Sequence, residues 1–206
     1  MTSKKVFRLA DTTEGDAYKL LSGLIVPRPI GWIGTWRPDG TDNLAPFSFF
    51  NMVSSRPPAV MFSAGRRSSG DLKDSASFAE ESGEFTVNIV SEEVAEVMNA
   101  TSLSFPPEVN EFELCGLTAV RGTVVSAPMV AEAPANLECR VIHAFDLGAT
   151  DGGSRIVFGE VVAVHVREDI LDGARIDHGA LRAVGRLAGN AYSTTRDRFE
   201  LIRPTQ

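Results

Sequence analysis

VPRPIGWIGTWRPDGTDNLAPFSFFNMVSSRPPAVMFSAGRRSSGDLKDS occupies residues 26–75, and its reading decides the fold. Pro27 and Pro29 hold the chain extended at the start. Residues 30–36 have the aromatic and β-branched content of a strand, Pro38-Asp39-Gly40 makes a turn, and residues 43–50 can return as the partner strand. Residues 59–63 are short and nearly all apolar, as in a strand buried on both faces. A barrel built only for packing has no need of the Ser, Asn, Arg and Lys on the loops between these strands. The combination suits a flat, polar ligand that carries a phosphate.

The rest of the chain sets limits on that reading. Its 206 residues favour one compact domain over two small ones, and 43% hydrophobic with 23% charged residues is the make-up of a domain with a proper core. A net charge of -7 argues against a nucleic-acid or anionic-membrane binder, whose affinity comes from a basic surface. Any anion site must then be a local patch on an acidic molecule. No apolar run approaches the roughly 20 residues of a membrane-spanning helix, and the basic N-terminus lacks the apolar core of a secretory signal. Cys115 and Cys139 lie too far apart for a zinc or redox pair and read as reduced, packed thiols. The expected location is cytoplasmic.

Thr13-Glu14-Gly15-Asp16 resembles a capping box that opens a helix ended by Gly23, with Tyr18, Leu21 and Leu24 as its apolar face. A second helix is expected over 71–81 with Gly83 as its stop, then a strand over 84–90, then a helix over 92–99 capped by Ser91. The pattern lapses into an irregular loop over 100–117. Residues 137–147 and 155–167 are the two longest strand candidates and read as a hairpin about a turn over 148–153. Residues 180–187 add a last strand. Many strands, few helices and no strand–helix alternation predict a mainly β, antiparallel barrel with helical decorations.

Two segments carry chemistry. Arg66-Arg67-Ser68-Ser69-Gly70 runs into Asp71-Leu72-Lys73-Asp74-Ser75, placing cations and hydroxyls at a helix start, where free N–H groups and the helix dipole favour an anion. A solvated loop with an ordinary helix cap accounts for the same residues. No Gly-x-x-x-x-Gly-Lys and no Gly-x-Gly-x-x-Gly is present. In Ala45-Pro46-Phe47-Ser48-Phe49-Phe50-Asn51, Pro46 cannot donate to a ladder and so implies an edge, a bulge or a strand end. Backbone groups freed there can pair with the polar edge of a ring, with Ser48 and Asn51 adding hydrogen bonds and Phe49 a wall. Read as packing alone, the phenylalanines are core.

Val26-Pro27-Arg28-Pro29, the segment 45–51, Arg56-Pro57-Pro58 and Lys73-Asp74-Ser75 closely resemble the flavin reductase-like proteins with an FMN-binding split barrel. So do Gly83-Glu84-Phe85-Thr86-Val87-Asn88, Glu132-Ala133-Pro134, Leu137-Glu138-Cys139 and Gly159-Glu160-Val161, in order, over residues 18–204. The resemblance implies an antiparallel split β-barrel with a few peripheral short helices, in a single domain over 1–206. It also implies a homodimer that binds FMN near the subunit interface. The phosphate would lie by 66–75, with Ser75 where the family usually has Thr, and the ring against 43–51. The implied FMN site comprises Arg28, Asn43, Ser48, Phe49, Asn51, Ser63, Arg67, Lys73, Asp74 and Ser75. Asp74 repels phosphate, and it is expected to cap the helix or to orient Lys73.

The implied activity is that of an FMN-dependent oxidoreductase taking hydride from NADH or NADPH, with a monooxygenase, another redox partner or oxygen downstream. No catalytic acid or base and no metal is required of the chain. A flavoredoxin-like FMN electron carrier without a nicotinamide site and a pyridoxamine-phosphate-oxidase-type enzyme are the alternatives. Gly185 to Tyr192 matches a family segment that approaches the flavin; on its own it reads as a glycine-permitted turn. His143 and His165 read as strand histidines, His165 without a partner motif, and His178 as a loop residue with an unsupported option of binding nicotinamide. They are too scattered for a metal.

Overall fold

The computed structural model describes residues 2–37, 39–106, 108–148 and 152–204. Pro38 of the first expected turn, Pro107 of the irregular loop and residues 149–151 of the hairpin turn lie outside the described residues. Helix α1 (Glu14–Leu24) starts as its sequence dictates, the Asp16 N–H donating to Thr13 Oγ1 at 3.2 Å. Its apolar stripe is real but uncovered: Tyr18, Leu21 and Leu24 are all exposed, and the helix is buried instead through Ser22. Strands β1 (Arg28–Pro29), β2 (Gly31–Trp36), β3 (Asp42–Phe47), β4 (Phe50–Ser55) and β5 (Pro58–Gly65) follow. The expected return strand over 43–50 is therefore broken at Ser48–Phe49, a corner with no glycine or proline to announce it, and β4 is a strand in its own right.

Helix α2 (Asp74–Ser82) begins three residues later than expected and ends at Gly83, whose φ of 74° suits glycine. Strand β6 (Glu84–Ile89) precedes α3 (Ala95–Ala100). Ser91 does not cap α3: only its carbonyl is used, by the Val94 N–H at 3.3 Å, and the residues between form a turn. The expected irregular loop contains a one-turn helix, α4 (Glu111–Leu114), capped by Asn110, whose Oδ1 accepts from Phe112 (3.0 Å) and Glu113 (3.4 Å). Strands β7 (Ala119–Arg121) and β8 (Pro128–Val130) lead to the expected hairpin, β9 (Ala135–Leu147) with β10 (Ser154–Val166). Short elements β11 (Leu171–Asp172), β12 (Arg175–Ile176), α5 (His178–Leu181), β13 (Val184–Arg186) and β14 (Tyr192–Thr194) close the chain.

The main sheet runs β3-β2-β6-β9-β10-β5-β4, antiparallel throughout. Its two edges, β3 and β4, are joined by Ser48 and Phe49 alone, so the sheet must curl until its edges meet. Beyond that corner the two edges form no ladder among the described residues, which makes the barrel a split one. A smaller sheet, β1-β13-β14, lies beside the split.

Two cores follow from this curl. Ile33, Phe47, Phe62, Phe85, Val87 and Val157 fill the barrel, with the Phe62 ring 5.2 Å from both Phe47 and Phe85. Trp32, Leu44, Val90, Met98, Phe112 and Val130 form a second cluster on the outer face of β2 and β3, under α3, α4 and β8. Strand β2 is therefore buried on both faces, which is why GWIGTW lacks polar alternation. A Cβ on Gly159 would stand 2.4 Å from the Phe85 ring, so glycine there lets that ring lie across β10 at its bulge.

A fully buried carboxylate ties the outer loop to the barrel. Glu138 on β9 accepts the N–H groups of Thr123 (2.8 Å), Val124 (2.7 Å) and Val125 (2.7 Å) and the Thr123 hydroxyl (2.8 Å). His165 Nε2, on β10, lies 2.6 Å away, giving this histidine the partner that its sequence context did not reveal. A Cβ on Gly122 would come within 2.3 Å of the carboxylate. Burial opposes the charge, but the His165 contact and the three N–H groups outweigh it and hold the pKa at about 2.

A carboxylate whose folded pKa is depressed contributes stability that is present above its unfolded pKa and lost as pH falls through the folded value. The window here runs from 4.5 down to about 2. The expected loss across it is at most about 3 kcal/mol. Denaturant unfolding at pH 6 and pH 3 should show the wild type losing more stability over that interval than Glu138→Gln, and equal losses would refute the clamp.

Candidate functional site

A cleft of about 390 Å³ opens beside the edge strand β3. One wall is β3 itself with Asn43, Pro46 and Phe47; a second is the loop into α2, with Arg67, Lys73, Asp74 and Ser75; the third is Thr101 to Phe105 with Glu111. Five of the ten expected site residues, Asn43, Arg67, Lys73, Asp74 and Ser75, therefore line one cavity of a size usual for small-molecule sites.

The α2 end of the cleft is built for an anion. Lys73 stands at the N-cap position without a capping hydrogen bond from its side chain. Its carbonyl accepts from Ala76 (3.0 Å) and Ser77 (3.1 Å), while the N–H groups of Asp74 and Ser75 have no acceptor among the described residues. Such orphan donors at a helix start attract negative charge. Asn43 Nδ2 donates to Thr35 Oγ1 (2.9 Å) and to Ser75 Oγ (3.0 Å), so the buried Ser75 hydroxyl has its own proton left to donate.

The cations divide sharply. Arg66 is held by Asp146 (2.5 Å) and the Gly70 carbonyl (2.7 Å), and Arg67 by Asp74 (2.6 Å). Asp74 thus neither caps α2 nor orients Lys73, as had been expected; it neutralises Arg67. Lys73 has no partner among the described residues, leaving its ammonium for whatever enters the cleft.

The other five expected residues gather at the β3–β4 corner. Arg28 is buried, donating to the carbonyls of Ser22 (2.7 Å), Ile25 (2.8 Å) and Leu187 (2.9 Å), with Nε 3.5 Å from Ser48 Oγ. Its guanidinium lies 6.0 Å from the centre of the exposed Phe49 ring. The Ser63 N–H donates to the Phe49 carbonyl (2.8 Å), and Asn51 Oδ1 accepts from Met52 (2.9 Å). Arg28 is therefore a brace beneath Phe49 that also brings in the 185–192 segment, where Gly189 has a φ of 59°. His143 sits elsewhere, on exposed β9, with its ring 5.7 Å from Phe145.

Strand β3 joins the two ends. Its Leu44 N–H turns away from β2 and donates to Glu111 Oε2 at 3.1 Å. Strand alternation places the Pro46 nitrogen on the same outward side, where a missing N–H leaves no donor unpaired. Glu111 and the Thr101 to Phe105 wall were not foreseen. Asn110 before Glu111 is a readable helix-start signal, but only tertiary packing brings it to β3. Thr101 is fixed by accepting the Trp32 Nε1–H at 2.9 Å, a contact between residues 69 apart.

The chain matches the family model described as "Flavin reductase like domain" over residues 22–184. It is 42% identical over 190 residues to an uncharacterized protein of Halalkalibacterium halodurans, covering 91% of each chain. Among solved structures it resembles nitrilotriacetate monooxygenase component B from Bacillus cereus, with a TM-score of 0.94 and 35% identity over 98% of this chain and 100% of that one. It also resembles the 2-nitrobenzoate 2-nitroreductase NbaA of Pseudomonas fluorescens, with a TM-score of 0.88 and 30% identity over 98% and 97%.

The Glu111 carboxyl makes the cleft measurable without any ligand. Burial, with Asp74 nearby, pushes its pKa up against the Leu44 hydrogen bond. A raised carboxyl pKa means that the folded state binds the proton more tightly, so stability falls as pH rises through the folded value. Glu111→Gln keeps an acceptor for Leu44 and removes the charge. Its thermal midpoint should exceed the wild type's at pH 7, with the gap narrowing at pH 4; a lower midpoint at pH 7 would show that the charged form stabilises this site.

Proposed function

The chain belongs to the flavin reductase-like domain family, and on that premise we propose that it is an FMN-binding oxidoreductase that takes hydride from NADH or NADPH. The observation that carries this reading is the α2 end of the cleft: Lys73 and the N–H groups of Asp74 and Ser75, none with a partner among the described residues, and the Ser75 proton. A phosphate needs those donor types, and Lys supplies the point charge. Residues 43 to 48 span about 17 Å of extended chain, room for a ring at the Ser48–Phe49 corner and a phosphorylated side chain reaching Lys73.

When bound, FMN supplies the hydride-accepting chemistry. The chain's part is to hold and orient. Lys73, Ser75 and the α2 amides would take the phosphate, Asn43 fixes the Ser75 hydroxyl, and the outward backbone of β3 offers hydrogen bonds to the polar edge of the ring. Phe49, braced by Arg28, would wall one side. Electrons would then pass to a partner oxygenase or another acceptor, in keeping with the monooxygenase component and the nitroreductase among its relatives.

We also propose a homodimer. Tyr18, Leu21 and Leu24 of α1, Ile25 just after it, and Phe49 and Met52 at the corner are all exposed, and Arg28 connects the two groups. Apolar surface of this extent marks an interaction site. Light scattering should give twice the chain mass, and Leu21→Glu with Leu24→Glu should give a monomer; a wild-type monomer would remove this part of the reading.

Lys73→Ala and Ser75→Ala should each weaken FMN binding by about 1–3 kcal/mol, the cost of losing a charge-assisted partner. Unchanged FMN titrations in both variants would take the phosphate away from α2. An absorbance scan of the FMN-loaded protein should show the flavin band bleach on adding NADH or NADPH. A loaded protein that ignores both nicotinamides would be a carrier instead.

A further inference from the structure

We propose that His178, Arg182, Arg196 and Arg198 form a second anion site, separate from the cleft, that takes a phosphomonoester. These residues, with Gly179 and Thr195, line a cavity of about 170 Å³ between α5 and the segment after β14. Three arginines line it on a chain whose net charge is -7, where chance favours acidic surroundings.

One carboxylate organises the cluster. Glu92 accepts from Arg182 Nη2 (2.8 Å) and from Arg196 Nε (2.8 Å) and Nη2, a bidentate pair. The Arg196 and Arg182 hydrogen bonds hold its pKa near 2, so it stays charged. Glu92 sets two guanidiniums side by side yet offsets only one of the three positive charges. Asp177, which flanks the pocket, turns its carboxylate to the N–H groups of Gly179 (2.6 Å) and Ala180 (3.3 Å). Neither Arg198 nor the His178 ring has a hydrogen-bond or ion-pair partner among the described residues, although Arg198 Nη2 lies over Gly179, 3.4 Å from where a Cβ would stand.

The backbone also fixes Arg182 in place. Arg182 has φ 48° and ψ 44°, the left-handed region that non-glycine residues avoid, and among the described residues it is the sole non-glycine with positive φ. Such a conformation persists only where its surroundings over-determine it. Here the Glu92 N–H donates to the Arg182 carbonyl (3.0 Å) while the Glu92 carboxylate holds the guanidinium, so the pair is locked at both ends.

The ligand class follows from size and charge. The cavity has the size of a phosphate group, and the planar fork of N–H donors on Arg198, not taken up by Glu92, matches phosphate oxygens bidentately. Two sources share that chemistry: the 2′-phosphate of a nicotinamide dinucleotide, and a free phosphomonoester or inorganic phosphate. The site itself stands without the reading of the cleft; only assignment to the dinucleotide rests on it.

Calorimetric titration with inorganic phosphate at low ionic strength tests the site. The Lys73→Ala background, saturated with FMN, keeps the cleft from contributing. Binding should survive Lys73→Ala and weaken about tenfold or more in Arg198→Ala, a side chain with no partner among the described residues, whose loss should not unfold the chain. No binding, or equal binding with and without Arg198, overturns the proposal. The two supporting results separate the sources. A raised KM for NADPH with NADH unchanged in Arg198→Ala assigns the phosphate to the dinucleotide, while unchanged KM values with lost phosphate binding assign it to a free ligand. Failure of the protein to oxidise either nicotinamide would refute the reductase reading and leave the titration result standing.

Discussion

Seven strands are hydrogen-bonded in a row, and the two at the ends of the row are consecutive in the chain, separated only by Ser48 and Phe49. That connection forces the curl, and the curl determines nearly everything else. It encloses Phe62 and Phe85, leaves the outer face of β2 and β3 to be covered by α3 and α4, and stops β3 from acquiring a second strand partner. The cleft exists because β3 is an edge. Its outward backbone donates to Glu111 at Leu44, and the α2 start converges on the same groove through the Asn43–Ser75 hydrogen bond.

Charge pairing then sorts the basic residues into braces and binders. Arg66, Arg67 and Arg155 are all drawn into carboxylates: Asp146, Asp74, and Glu80 with Asp146. Arg28 is committed to three carbonyls. Those side chains hold loops to the barrel. Lys73 and Arg198 remain unpaired among the described residues, and each stands at a concave surface. A count of basic residues does not reveal this division, because pairing is a property of the packed chain.

The parts of the fold visible in the sequence were those with local causes. Thr13 starts α1 and Gly83 ends α2, and the paired runs around residues 148–153 are β9 and β10 because their signals lie within a few residues. Pro46 marked an edge, a bulge or a strand end, and β3 is indeed an edge strand. What escaped had distant causes. The Ser48–Phe49 corner carries neither glycine nor proline, because the barrel's closure bends the chain there. Ser91 resembles a cap, yet its side chain is buried and α3 starts later. The cations and hydroxyls at the α2 end of the cleft were legible in residues 66–75, whereas Glu111 and the Thr101 wall reach the cleft by packing against Leu44 and Trp32. Arg28, expected in the site, proves to be its support.

The Glu111–Leu44 contact and Pro46 have one more consequence, for behaviour at high concentration. A free sheet edge is a template on which a neighbouring molecule can add a strand, the first step toward aggregates. Along β3 the donor at Leu44 is already taken by a carboxylate, and at Pro46 there is none to offer. An incoming strand would lose successive hydrogen bonds and meet a negative charge as well. The groove beside β3 has the volume for a small molecule, while the same edge offers a second sheet little to pair with.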